Sequence, residues 1–471
     1  MQTFRQITRI EVDATALERW HLAPGAFQRL APPWERMRIL QEPDSIVDGA
    51  RAIIQMKAGP LWVKWVAEHK DCRPGIGFTD VQVKGPFAHW EHVHTFRPAG
   101  AGACELVDEV HYRLPLGFAG QMFGGAAVRK KLERMFRYRH AITKMDLERE
   151  RAEPGREGDA IAVLITGATG MVGAALEAFL RMRGHRVLRL TRNPTRQADV
   201  RWDPSSGELD LPPDERVDAV VHLAGENIAG GRWSEARKRR ILESRRLGTR
   251  LLCEALAART RRPAVLVSAS GANFYGTGTA EPQDESSPRG TGFLSDVCEA
   301  WEGETVVAER AGIRVVRMRF GVILSPAGGA LAKMLPLFQL GLGGRLGSGN
   351  QRMPWIALDD VVDIVHRALR DPRYEGPVNG VAPELITNAR FTSTLARTVS
   401  RPAVIPAPGF ALKLVLGKKM AEETLLADLA LAPGKLKALE YPFRFPRLPD
   451  ALGHLLGLEV RDIEARNGLN S

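Results

Sequence analysis

At 471 residues the chain is too long for one ordinary hydrophobic core, so two or three domains are expected. It has no run of about 18 apolar residues, and Met1-Gln-Thr-Phe-Arg-Gln6 lacks the basic-then-apolar pattern of a secretory signal, so neither a membrane span nor export is expected. The net charge of +11 comes from arginines spread along the whole chain without a recognition motif, which argues against a nucleic-acid partner; the scattered cysteines, Cys72, Cys104, Cys253 and Cys298, lack metal spacing and fit a reducing cytoplasm.

Residues 1–150 read as one domain. A strand near Phe4–Val12 precedes short helical pieces around Ala14–His21 and Gly25–Leu30, which end at Pro32-Pro33-Trp34. Strand-like runs follow at Arg36–Gln41, Ala50–Lys57, Leu61–Lys70, Gly75–Lys84, Phe87–Phe96 and Cys104–Leu114. Turn residues separate them at Gly59-Pro60, Pro74-Gly75, Gly85-Pro86 and Pro98–Gly102. Val128, Leu132, Met135, Phe136 and Ile142 recur at helical spacing, which predicts a helix over Ala126–Leu147. His92 and His94 share a strand face, as two metal ligands would, with His89 nearby. No carboxylate or cysteine pattern along the chain completes a site, so the three read as ordinary strand histidines and no metal is expected. This order of elements, with Ala26-Phe-Gln-Arg-Leu-Ala-Pro-Pro-Trp34 and Phe87-Ala-His-Trp-Glu-His-Val-His-Thr-Phe96, resembles the polyketide-cyclase and START-like (SRPBCC) superfamily. The resemblance implies an α+β helix-grip fold, with a curved sheet and a long helix enclosing a cavity for an apolar or aromatic small molecule.

Residues 148–160 are charged, contain Gly and Pro, and have no large apolar side chain, so they read as a linker. The chain then changes character. Ile161-Ala-Val-Leu-Ile165 is a buried parallel strand by its continuous apolar run, and Gly167, Gly170 and Gly173 follow at three-residue spacing before a helix beginning near Met171. Gly167 allows the tight turn, Gly170 lets a pyrophosphate reach the backbone, and Gly173 lets the helix pack closely on the strand. The free N–H groups of the helix N-terminus would face the phosphates. Further strands at Arg186–Thr191, Val217–Ala224, Ala264–Ser270 and Ile313–Phe320 alternate with helices, which predicts an α/β, Rossmann-type doubly wound parallel sheet over residues 161–382. A strand of this kind normally ends in an acid that binds the ribose. Here Thr191-Arg192-Asn193 stands instead, and the Arg192 fork suits a 2′-phosphate, which favours NADP over NAD.

The Gly167–Gly173 turn, His222-Leu-Ala-Gly225 and the Ser268–Gly276 loop resemble the extended short-chain dehydrogenase/reductases. Leu190-Thr-Arg192, Leu223-Ala-Gly-Glu-Asn-Ile228, Trp301-Glu302, Gly328-Gly-Ala-Leu-Ala-Lys-Met-Leu-Pro336 and Gly347-Ser-Gly349 narrow the likeness to the atypical epimerase branch, the NAD-dependent epimerase/dehydratase family proteins. The resemblance spans about residues 161–455. It implies cofactor contacts from Gly167, Thr169, Gly170, Met171, Val172, Thr191, Arg192, Leu223, Ala224, Gly225 and Ser268, and a small C-terminal domain of unknown function over 383–471. The chain departs from the branch around Ala427–Pro433.

Reductases of this class use a Tyr to pass a proton and a Lys four residues later to lower its pKa. When the chain is aligned on Trp301-Glu302, those positions hold Leu294 and Cys298, and neither can do the work. Tyr275 is the nearby phenol that could substitute, with Ser270 holding the substrate oxygen. Arg352, in Gly347-Ser-Gly-Asn-Gln-Arg-Met353, is either a substrate-phosphate ligand or a loop salt-bridge partner. The expectation is a cytoplasmic NADP-dependent oxidoreductase or epimerase-like protein acting on a small molecule. The alternative is a non-catalytic NADP(H)-binding sensor.

Overall fold

A computed structural model of the chain describes residues 1–43, 45–58, 61–152 and 160–459. They divide into two compact units, Met1–Gly158 with His454–Glu459, and one built on Asp159–Gly453. The turn expected at Gly59-Pro60, most of the expected linker (153–159) and the last residues of the chain (460–471) lie outside the described residues. Among the described residues no helix is long and apolar enough to cross a membrane.

The first unit is a seven-stranded antiparallel sheet. Its strands are β1 (Gln2–Ile10), β2 (Met37–Gln41), β3 (Arg51–Ala58), β4 (Leu61–Arg73), β5 (Gly77–Lys84), β6 (His89–Pro98) and β7 (Cys104–Arg113). They are ordered β1-β7-β6-β5-β4-β3-β2, so β2 to β7 form a continuous meander and β1 closes onto its end. Two short helices, α1 (Ala14–Leu22) and α2 (Ala26–Leu30), lie between β1 and β2, and α3 (Gly117–Ala152) follows β7. Period-two burial explains the strands. In β6, Trp90, His92, His94 and Phe96 are buried while Glu91, Val93 and Thr95 are only half-buried. Leu132 and Phe136 of α3 pack with Phe4, Trp90, Val110 and Tyr112. The helix outruns the sequence expectation at both ends. A glycine inside a helix costs only about 1 kcal/mol, so Gly120, Gly124 and Gly125 do not stop it, and the charged residues 148–152 complete its last turns instead of opening a linker.

The second unit is an eight-stranded sheet containing β8 (Ala162–Thr166), β9 (Arg186–Thr191), β10 (Asp199–Asp203), β11 (Glu208–Leu209), β12 (Ala219–His222), β13 (Val265–Gly271) and β14 (Arg314–Phe320), with Gly376–Gly380 at its edge. The order is β11-β10-β9-β8-β12-β13-β14 and then Gly376–Gly380; every pairing except β10 with β11 is parallel. The strands are buried on both faces. Val163 and Ile165 join a core with Leu176, Phe179, Val361 and Ile364, while Leu164 points into a second core with Leu188, Leu252 and Leu256. Helices therefore cover both sides of the sheet.

Leu436 and Tyr441 enter the same core as Val361 and Val365, and residues 383–453 fall in the same compact unit as the sheet.

Candidate dinucleotide site

Strand order reverses at β8, with β9 on one side and β12 on the other, and a crevice opens at the carboxyl ends of strands at such a point. Thr166, the last residue of β8, is fully buried and ties the two strand ends together. Its Oγ1 accepts hydrogen bonds from the backbone N–H of Leu223 (3.0 Å) and of Ala224 (3.1 Å). Gly167 has φ +70°, and a Cβ there would lie 3.0 Å from the Leu223 carbonyl carbon. Glycine is thus required by both the turn and the close approach. The Gly170 N–H donates back to the Gly167 carbonyl oxygen (3.0 Å), and α4 (Met171–Met182) begins at the next residue. No side chain caps this helix, so the N–H groups of Met171 and Val172 point out of its N-terminus. A Cβ on Gly170 would meet only the Gly167 carbonyl oxygen, at 3.2 Å, and the outer side of the turn is open; Thr169 and Gly170 are exposed. The residues present fit a pyrophosphate on a helix N-terminus.

At the end of β9, Thr191 Oγ1 accepts the N–H of Asn193, and Arg192 is exposed. Hydrogen bonds from Ser205, with the Arg192 and Arg201 charges nearby, hold the Asp203 carboxyl below the usual carboxylate range. Sequence reading had placed Thr191 and Arg192, with Leu223, Ala224 and Gly225, around one site, and the sheet brings them to one end of adjacent strands. Ser268 is buried in β13 beside His222, the strand residue that pairs with it.

His222 was missed as a site residue. It is fully buried, with Nδ1 2.8 Å from Thr166 Oγ1 and Nε2 3.0 Å from Thr249 Oγ1. Burial, reinforced by the Arg245 charge, lowers its pKa to about 4. The unfolded chain therefore takes up a proton between pH 6.5 and 4 that the folded protein refuses, and this contribution to stability is lost as pH falls through that window. The stability advantage of wild type over His222→Asn should shrink by about 1.4 kcal/mol per pH unit on acidification below pH 6.5. Chemical denaturation at several pH values measures it, and a difference that stays constant with pH would show that His222 is not held neutral.

The two candidate catalytic residues lie in a single buried network. Ser270 Oγ donates to Glu302 Oε1 (2.7 Å). Arg319 binds the same carboxylate with two bonds, Nε to Oε1 (2.9 Å) and Nη2 to Oε2 (2.8 Å), and its Nη1 donates to the Tyr275 hydroxyl (2.8 Å). That hydroxyl in turn donates to Asn379 Oδ1 (2.8 Å). Burial pushes the Tyr275 phenol up to about 12 despite the neighbouring Arg319. Leu294 and Cys298 lie on α5 (Phe293–Gly303) and are buried; burial and the Glu302 charge push the Cys298 thiol up to about 11. The Glu423 carboxylate caps this helix, accepting the N–H of Phe293 and of Leu294.

Of the two roles open to Arg352, the structure places it in the salt bridge. Nε and Nη2 hold the Asp428 carboxylate at 2.9 and 2.7 Å, Nη1 donates to the Ala280 carbonyl, and Nη2 also reaches the Thr279 carbonyl. A guanidinium occupied in this way has no fork left for a substrate phosphate.

A doubly wound sheet carrying this turn at its switch point defines a dinucleotide-binding protein. Residues 163–380 match the NAD dependent epimerase/dehydratase family, and residues 407–455 match a domain of unknown function, DUF1731. An epimerase family protein of Mycobacterium bovis is 42% identical over 293 residues, which cover 62% of this chain and 96% of that protein. The human epimerase family protein SDR39U1, whose crystal structure was solved with NADPH, is 36% identical; the structural match covers 63% of this chain and 99% of that chain, with a TM-score of 0.59. A nucleoside-diphosphate sugar epimerase from Corynebacterium glutamicum matches over 96% of this chain and 90% of its own, at 33% identity and a TM-score of 0.79. The chain belongs to the NAD(P)-dependent epimerase family.

Proposed function

We propose that the second unit binds NADP(H) and acts as an oxidoreductase of epimerase-like chemistry on a small molecule. Gly167–Val172 would hold the pyrophosphate, Arg192 the 2′-phosphate, and Leu223–Gly225 with Ser268 the remainder of the cofactor. The observation that carries the NADP assignment is an exposed Arg192 at the end of β9, where an acid would select NAD. The NADPH present with the human relative supports it. The cofactor would supply or accept a hydride. With Leu294 and Cys298 in place of the relay pair, proton transfer falls to Tyr275 with Ser270, and turnover of ordinary sugar nucleotides would be slow.

A second reading, a cofactor-binding sensor, is favoured by a specific observation: the Tyr275 hydroxyl already has two partners and Ser270 is held by Glu302. For the first unit the element order supports an SRPBCC-like helix-grip domain that takes an apolar or aromatic ligand. The free cysteines support a cytoplasmic site of action.

A charge-assisted bidentate contact is worth about 1.5–3 kcal/mol, so Arg192→Asp should weaken NADPH binding roughly ten- to a hundredfold and NADH binding far less. Fluorescence titration of both cofactors measures it, and equal NADPH affinity in the two proteins would overturn the assignment. Hydride transfer from bound NADPH to a panel of carbonyl compounds separates the two readings, since a sensor would leave the cofactor reduced.

A further inference from the structure

The histidines of β6 have carboxylates beside them that the linear sequence does not reveal. In the sheet register His69 of β4 pairs with Asp80 of β5, and Asp80 pairs with His92 of β6. One step along, His94 of β6 pairs with Asp108 of β7. Directly opposed residues share a face, so the five side chains gather on one patch of the sheet. His69, His92, His94 and Asp108 are all more than nine-tenths buried, and Asp80 keeps a side-chain exposure of 23%, which leaves the patch reachable from its side. His89 falls on the opposite face of β6 by the alternation of the strand.

We propose that the first unit binds a first-row divalent cation of the zinc type through Asp80 Oδ2, His92 Nδ1 and His94 Nε2. The three ligand atoms lie within 4.8 Å of one another; Oδ2 is 3.2 Å from His94 Nε2 and 4.0 Å from His92 Nδ1. Ligands about 2.0–2.2 Å from a common ion are separated on this scale. The inward nitrogen of His92 is aimed by its outer one. Asp108 Oδ1 is hydrogen-bonded to His92 Nε2 at 2.9 Å and so orients that imidazole; it also lies 2.8 Å from His94 Nδ1, without hydrogen-bond geometry, and its other oxygen is held by His140 Nε2 at 2.7 Å. A carboxylate hydrogen-bonded behind a ligating histidine, as Asp108 is behind His92, is the arrangement that fixes tautomer and ring direction in metal sites. Asp80 is positioned in the same way by His69 Nδ1, 2.6 Å from Oδ1, while His69 Nε2 is buried without a hydrogen-bond partner.

Charge balance points the same way. Two carboxylates lie here; among the described residues their ion pairs are with histidines, and the buried Arg139 guanidinium is near enough to interact with both. With one fixed positive charge against two negative ones, a cation bound between them offsets the remainder while the imidazoles stay neutral. Two histidines and one carboxylate leave further coordination positions, which a water or an oxygen-donor ligand would complete. The proposal does not depend on the cofactor reading of the second unit.

The test uses the full chain, stripped with a chelator and titrated with Co²⁺, whose visible absorption reports nitrogen ligation, and with Zn²⁺ in competition. Wild type should take up one ion per chain. Asp108→Asn should weaken binding about 10–100-fold by releasing the His92 imidazole. Asp80→Asn and His94→Gln should abolish it, and His89→Gln should leave it unchanged. Zn²⁺ should also raise the thermal midpoint of wild type and not that of His94→Gln. A wild-type protein that takes up no Co²⁺ overturns the proposal, whatever the variants do. So does Co²⁺ absorption retained at full strength in His94→Gln.

Discussion

Glu302→Gln should lower the unfolding free energy by about 3–5 kcal/mol, the loss expected when one partner of a buried ion pair is removed. The Glu302 carboxylate is the only acid that Arg319 touches among the described residues, and the two side chains are 10% and 6% exposed. The substitution leaves the guanidinium buried and uncompensated over the Phe274 ring and beside Tyr275. The Ser270 hydroxyl and the Tyr275 phenol share that network, so both would lose their fixed positions. Replacing both charged partners at once, Glu302→Leu with Arg319→Met, should recover much of the loss, because no charge is then left in the interior. Urea denaturation at constant m-value measures both. A fall of less than about 1 kcal/mol in Glu302→Gln would mean that water reaches the pair, and that the site is more open than the geometry indicates.

The parallel sheet was legible because its strands write their burial into the sequence. Ala162–Thr166 and Ala219–His222 are buried at every position, and such strands read as unbroken apolar runs. The glycine spacing after β8 was legible for a similar reason, since backbone geometry and not a distant partner dictates it. Strands β10 and β11 were missed: Asp199–Asp203 alternates, Glu208–Leu209 is two residues long, and neither has a continuous apolar run. What needs a partner far along the chain was not legible at all. Arg352 could be placed in either of two roles because Asp428 lies 76 residues away. The polar cluster of the first unit was missed in the same way. A search along β6 finds, besides the histidines, only Glu91, which alternates onto the other face, and the acids of the cluster come into view only when β5 and β7 are laid beside it in register. Arg319 did not stand out, because β14 carries Arg314 and Arg317 as well. Its meaning depended on Glu302, which comes from a different element.

Gly173→Val should abolish tight cofactor binding with little help from neighbouring relaxation. A Cβ at this position would lie 2.7 Å from the Ala168 Cα and closer still to the Gly167 carbonyl oxygen, and both are backbone atoms of the turn itself. No flexible side chain can give way, so α4 must move off β8 by roughly an ångström to reach an ordinary van der Waals distance. Its N-terminus moves with it, and the N–H groups of Met171 and Val172 no longer converge with the turn. A hydrogen bond to a charged group is worth about 1.5–3 kcal/mol, so losing two weakens NADPH binding by about 3–6 kcal/mol, or two to four orders of magnitude. The fold should survive with a smaller loss, since overpacking of this kind typically costs about 1–3 kcal/mol. Gly184→Ala serves as the control: a Cβ at Gly184 meets nothing within 4 Å, so any loss there comes only from its φ of +75° and should leave NADPH affinity unchanged. Isothermal titration of the three proteins decides the matter. A Gly173→Val protein that binds NADPH as wild type does would mean that the phosphates do not sit on this helix.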